Sequence, residues 1–285
     1  MSERRAISLI VLSSLIWSTS FPAVKAGLSY IPPIAFVFLR FTLGTFFYIL
    51  FFIIAKKRFK KEILKDRRVY ALGIVTFLSY IFQYFGQLYT LASRTALIIN
   101  LFVIWVPILA VLFLKEKFPK RFFFSIILLI PGMFLLASGK NPSEIWKAKL
   151  MIGDLIVLFA SFCWAFYVII SKHLLEKYST HELNVVVFAI TALASFPLIF
   201  ITKTPIIINW TSTLLLLHLS LGCTVIAYYL YVSGLKHAGA IRSTIFVSLE
   251  VLFSFLIALI FLHEKWAPLE LLGGALMLFA VSIAV

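Results

Sequence analysis

Polar residues in this chain gather in short clusters, and the stretches between them stay apolar for about 20 residues at a time. Length of that order is what a helix needs to cross the hydrocarbon of a bilayer, with a range of roughly 17–25 residues. Ten runs have it, near residues 6–27, 33–55, 69–90, 95–114, 122–138, 151–171, 183–202, 211–234, 243–262 and 268–285. The fifth and tenth are short. The connections leave no room for a soluble domain. The pattern predicts an all-α integral membrane protein with ten transmembrane helices.

Composition sharpens this reading. Hydrophobic residues make up 62% of the chain and charged residues 13%, where a soluble domain is about half apolar and about a quarter charged. The opening "MSERRAISLIVLSSLIWSTS" starts like a secretory signal. Its apolar run is too long for one, and no small-residue cleavage site follows, so it reads as the first span. Cys163 and Cys223 both fall inside spans and say nothing of redox compartment.

The net charge of +15 is that of many nucleic-acid binders, but in a membrane protein it sets topology. Lys and Arg collect on cytoplasmic loops. With the N-terminus inside, 18 of the 26 Lys and Arg fall on inner segments, seven on outer segments, and Arg40 within a span. Both termini are therefore expected in the cytoplasm of a multi-pass cell-membrane protein, with the bilayer and a small molecule as partners and no nucleic acid. A monomer is the expected state. Trp146, Trp210 and Trp266 lie at span ends on the outer side, as interfacial anchors do.

The chain repeats itself. "INLFVIWVPILAVLFLKEK" (99–117) and "VSLEVLFSFLIALIFLHEK" (247–265) share their shape and ending. An offset of 148 pairs Glu116 with Glu264, Gly86 with Gly234, Arg94 with Arg242 and Tyr80 with Tyr228. An offset of 147 pairs Trp17 with Trp164 and Lys25 with Lys172. Residues 1–140 and 141–285 thus read as two copies of one five-helix unit. Five is odd, so the second copy must enter the membrane from the opposite side, as an inverted repeat. Such symmetry serves alternating access to a site near the midplane.

"LIWSTSFPAVKAGL", "FVFLRF" and "SLEVLFSFLIALIFLHEKWAPLELLGGALML" resemble the EamA family, the ten-helix branch of the drug/metabolite transporter superfamily. The resemblance runs along nearly the whole chain. It implies a secondary carrier, often an exporter of amino acids and related metabolites, with a cavity lined by helices 1, 3, 4, 6, 8 and 9. The family's Glu-Pro pair is altered here. Glu250 is followed by Val251, the equivalent position in the first copy is Phe102, and a proline comes later, at Pro107. Small four-helix relatives use an acid in helix 1 for proton-coupled drug efflux, and residues 6–27 contain none.

The polar residues within the spans are the candidate site. An ionisable group at that depth costs about 2.5–3.5 kcal/mol on insertion scales, so Glu250 is expected to face a cavity or a partner. It would hold a substrate amine, carry a proton, or act as a structural carboxylate. Arg40 would pair with Glu250, bind a substrate carboxylate, or reach outward to the interface. Asp154 reads as a helix-terminus residue in a wet interface. Trp17, Tyr80, Tyr84, Trp105, Trp164 and Tyr228 each carry a donor that needs a partner when buried, and their rings suit an ammonium or apolar ligand. Gln83, Gln87 and Asn100 add amides. Ser18, Thr19 and Ser20 before Pro22 predict a loosened first helix with free carbonyls.

The five histidines show no metal spacing, and no phosphate-binding loop is present to use ATP. One acid, one arginine, amides and aromatics suit a zwitterion, hence amino acids. Drugs, nucleosides or polyamines would also fit, and an intramembrane enzyme is the alternative from another class.

Overall fold

The computed structural model describes residues 1–55, 59–138, 148–200, 205–261 and 267–284. Trp146, Trp266, His263, Glu264 and the outer lysines at 140, 147, 203 and 265 lie outside those residues. All regular structure in the described residues is helical. The ten passages are α1 (Glu3–Gly27), α2 (Pro33–Ile54), α3 (Arg67–Tyr89), α4 (Ala92–Leu114), α5 (Lys120–Ser138), α6 (Ala148–Leu174), α7 (Thr180–Ile199), α8 (Trp210–Ala238), α9 (Ala240–Val247 and Leu249–Phe261) and α10 (Pro268–Ile283). Among the described residues, eight helices are long and apolar enough to cross a membrane. The two that fall outside that set, α5 and α10, pack closely on each other. This is a multi-pass membrane protein.

Local chemistry sets the helix starts. Pro33 opens α2 and Pro268 opens α10, positions where a missing N–H costs nothing. Asp66 accepts from the Arg68 backbone amide at the start of α3. The Arg68 guanidinium also donates to it, which holds its carboxyl well below the usual range. Ser179 and Glu182 form a capping box that starts α7 at Thr180, three residues before the apolar run. Trp210 begins α8 with its side chain largely exposed, as an interfacial anchor would be.

The principal packings are α3 with α6, α1 with α8, α2 with α7, and α5 with α10. Exchanging helix n for helix n+5 maps this set onto itself. The same exchange carries α3·α7 onto α2·α8 and α4·α6 onto α1·α9, and all four contacts are present. Equivalent basic residues also bond at corresponding helix ends, though to partners that are not themselves equivalent. Arg94 pairs with Asp154 near the start of α6, and Arg242 pairs with Glu3 at the start of α1. Asp154 also accepts from Thr90 Oγ1 at 2.7 Å, so it bonds within the protein rather than only with interfacial water. Lys25 Nζ donates to the carbonyls of Gln87 and Thr90 at the end of α3. Lys172 Nζ donates to the carbonyl of Lys236 near the end of α8.

Gly86 and Gly153 let α3 and α6 touch backbone to backbone. A Cβ on Gly153 would lie 2.7 Å from the Gly86 carbonyl oxygen. At the equivalent crossing of α8 on α1, a Cβ on Gly234 would lie 2.7 Å from the Ala6 carbonyl oxygen. Small residues at such crossings are how membrane helices approach closely. Gly153→Val is therefore expected to destabilise by about 1–3 kcal/mol or more through overpacking. Gly222→Ala, whose new Cβ meets nothing nearer than 3.5 Å, should leave the melting temperature in detergent unchanged. Equal stability of both variants would contradict the close crossing.

Candidate functional site

Three passages are interrupted in mid-helix. α1 breaks at Thr19, between Glu3–Ser18 and Ser20–Gly27. Pro22 lacks an amide to bond back to Ser18, and the Ser18 carbonyl accepts from Ser254 Oγ instead, at 3.3 Å. α4 breaks at Asn100–Leu101, and α9 at Ser248, its repeat equivalent. Both breaks use one device. Asn100 Nδ2 donates to the Ala96 carbonyl, and Ser248 Oγ to the Thr244 carbonyl, each at 2.9 Å and four residues back. Side chains that bond back this way loosen and bend a helix.

The broken segments surround a central cavity of about 40 Å³, room for a few waters. Trp17, Ser20 and Phe21 of α1, Tyr80 and Gln83 of α3, and Trp164 of α6 line it. Ile99 and Phe102 of α4 and Val247 and Glu250 of α9 complete the wall. A larger void of about 430 Å³ between α4 and α5 is lined only by apolar residues such as Val111, Phe123 and Ile127. It holds no group that could orient a polar ligand.

Residues at equivalent positions meet here. The Trp17 and Trp164 rings lie edge to face, 5.5 Å apart. Tyr228 Oη donates to Tyr80 Oη at 3.0 Å. Two pairs of equivalent residues thus meet in the aromatic wall, where the two halves of the chain come together. Glu250 and its equivalent Phe102 share the same cavity. The cavity is lined by residues of both halves of the chain and carries its carboxyl on one side.

Glu250 is 6% exposed. Asn100 Nδ2 lies 3.5 Å from its Oε2, at the limit of a hydrogen bond. Among the described residues, none of the ion pairs involves Glu250. Asn100 Oδ1 is buried without a partner among the described residues. An amide offers both donor and acceptor, so Asn100 can serve either the carboxylate or the acid.

Arg40 does not reach Glu250 and does not line the cavity. Its Nε donates to Thr224 Oγ1 at 2.7 Å and its Nη1 to Tyr84 Oη at 2.8 Å. Its guanidinium lies over the Tyr80 ring, 4.8 Å from the centroid. It sits behind the wall rather than in it, fully buried and not extended to the interface.

The sequence-selected residues therefore divide. Trp17, Tyr80, Gln83, Trp164 and Glu250 line the cavity. Asn100 bonds to a lining group, and Tyr84 and Tyr228 support the wall from behind. Ser18 donates to the Leu15 carbonyl within its own helix. Trp105 packs edge-on against Phe162, and its indole nitrogen has no partner among the described residues. Gln87 bonds to the Phe21 carbonyl and holds the second half of α1 against α3. Sequence reasoning missed Ser20, Phe21, Ile99 and Val247 as lining residues, and noted Phe102 only as the counterpart of Glu250. Repeat equivalence to Glu250 is the signal that could have marked Phe102.

Ten helices around a small cavity of polar and aromatic residues drawn from both halves of the chain have the form of a membrane transporter. Comparison with known proteins agrees. The profile of the EamA-like transporter family matches residues 4–138 and again residues 151–285. The chain belongs to that family. It is 28% identical to an uncharacterized transporter of Archaeoglobus fulgidus, over 96% of this chain and 95% of that protein. A second such transporter of the same organism is 31% identical, over 96% and 83% of the two chains. The uncharacterized transporter YdfC of Bacillus subtilis is 24% identical, over 95% and 89%. A solved crystal structure shares the fold with a TM-score of 0.83 at 16% identity, covering 98% of this chain and 97% of that one.

Proposed function

We propose that this protein is a secondary-active permease of the cell membrane, with both termini cytoplasmic. It moves small metabolites that carry an amine, amino acids and related zwitterions foremost, in the direction of export. It works as a monomer by alternating access between two inverted repeats, 1–140 and 141–285. The observation that carries this reading is Glu250, a buried carboxyl held in one repeat only and facing the shared cavity, with no ion-pair partner among the described residues.

The chemistry follows from that asymmetry. An ammonium supplies the charge that Glu250 lacks, and Trp17, Trp164 and Tyr80 give it aromatic faces. With Arg40 out of the cavity, a substrate carboxylate turns to the Gln83 amide and to the half-helix that starts at Phe102, whose N-terminal end carries partial positive charge. The same aromatic walls favour a second reading, a broad-specificity carrier of organic cations.

Substrate sites are commonly about 300–1,000 Å³, so a cavity of about 40 Å³ must open to load. The breaks at Thr19, Asn100 and Ser248 are where its walls can part. The inverted relation rests on the odd helix number of each unit and on the charge bias. It predicts that the α2–α3 and α7–α8 connections lie on opposite sides of the membrane. Single cysteines at Lys61 and Ile208 should be labelled by an impermeant thiol reagent from the inside and the outside respectively. Labelling of both from one side would contradict it.

The tryptophans separate lining from packing. Trp17→Ala or Trp164→Ala should lower transport about tenfold, an aromatic–cation contact when desolvated being worth roughly that. Trp105→Ala, away from the cavity, should cost far less at equal expression. Equal losses in all three would mean that the lining tryptophans only pack.

A further inference from the structure

A second polar cavity lies away from the central one, on the side of the membrane that carries the N-terminus. It is a crevice of about 350 Å³ between the first turns of α1 and the last turns of α8, bordered by Thr180 at the start of α7. We infer that it is a binding site for the head group of an anionic phospholipid, with phosphate at its rim and an acyl chain along its floor.

The order of groups with depth carries the inference. Arg5 of α1 and Lys236 and His237 of α8 stand at the rim. One turn deeper, Ser233 Oγ meets Thr180 Oγ1 at 3.4 Å. Deeper again are Leu9 and Tyr229, the latter about 10 Å below Lys236 at 1.5 Å rise per residue. The Tyr229 ring stacks on His181 with centroids 4.7 Å apart, which fixes it as a flat wall. Cations, then hydroxyls, then apolar surface is the order in which a phospholipid presents phosphate, ester and hydrocarbon. Among the described residues, no carboxylate lines the crevice. Basic pockets between membrane helices are where anionic head groups bind.

The repeat supplies an internal control. At the other end of the molecule the positions equivalent to Tyr229, Ser233, Lys236 and His237 are Ile81, Phe85, Leu88 and Tyr89. Ile152 is equivalent to Arg5. The same helix crossing forms there without a cation or hydroxyl at any of these positions except Tyr89. The polar gradient is therefore not needed for packing.

The test uses the full-length protein in detergent, with its melting temperature followed as phosphatidylglycerol, phosphatidylcholine or inorganic phosphate is added. Phosphatidylglycerol should stabilise it and phosphatidylcholine should not. Arg5→Gln and Lys236→Gln should each weaken the phosphatidylglycerol effect about fivefold in half-saturating concentration. Arg4→Gln with Lys61→Gln, which removes two charges outside the crevice, should leave it unchanged. Equal weakening by the control pair, or equal stabilisation by phosphatidylcholine, would overturn the site. Stabilisation by inorganic phosphate alone to the same extent would overturn its assignment to lipid. All of these variants alter exposed side chains, so each should fold.

Discussion

Glu250→Gln should leave expression and melting temperature close to those of the parent protein and reduce transport about 10- to 100-fold, the range that follows from losing one charged hydrogen bond. The amide keeps the shape of the carboxyl. It also brings an N–H₂ group toward Asn100 Oδ1, a buried acceptor with no partner among the described residues. Folding alone does not call for an acid at this point, because the first repeat builds the opposite wall of the same cavity with Phe102. If the acid exchanges a proton for the substrate, the residual transport should also lose its dependence on pH. Unchanged transport would make the carboxyl structural. Failure to fold would mean that Glu250 holds the α4 and α9 breaks together through Asn100.

Arg40→Ala is expected to have the opposite profile. The side chain is fully buried, bonds to Thr224 and Tyr84, and supports the Tyr80 ring. Its removal strands two hydroxyls and leaves a void, a loss of roughly 3–5 kcal/mol. The protein should appear aggregated or at low yield in size-exclusion chromatography. Arg40→Lys keeps the charge but cannot reproduce the forked geometry, so it should fold with reduced stability. An Arg40→Ala protein of normal stability that no longer transports would place Arg40 in direct contact with substrate.

These two charges also show how far the sequence could be read. The ten spans were legible because a bilayer demands long apolar runs, and the helix starts differ from the runs by only a few residues where caps such as Ser179 extend them. The repeat was legible at single positions, and Trp17 with Trp164 and Tyr80 with Tyr228 prove to touch each other. Both Arg40 and Glu250 fall within predicted spans, but only packing could show that Tyr80 stands between Arg40 and the cavity. The breaks in α4 and α9 were not read, because neither has a glycine or proline at the break itself. At both breaks a side chain bonds back to a carbonyl four residues earlier, as Thr191 and Ser195 also do in unbroken helix, so residue type alone does not mark the break.

Counterflow across a liposome membrane tests the central claim most directly. Purified protein would be reconstituted, the vesicles loaded in turn with each of the common amino acids, and entry of the same labelled compound followed from a dilute outer solution. A carrier that alternates access exchanges outer for inner substrate, so at least one amine-bearing compound should accumulate transiently above equilibrium and then decline. Glu250→Gln should abolish that overshoot. Absence of an overshoot for every compound, or flux that rises in proportion to concentration without saturating, would contradict an alternating-access permease built around Glu250.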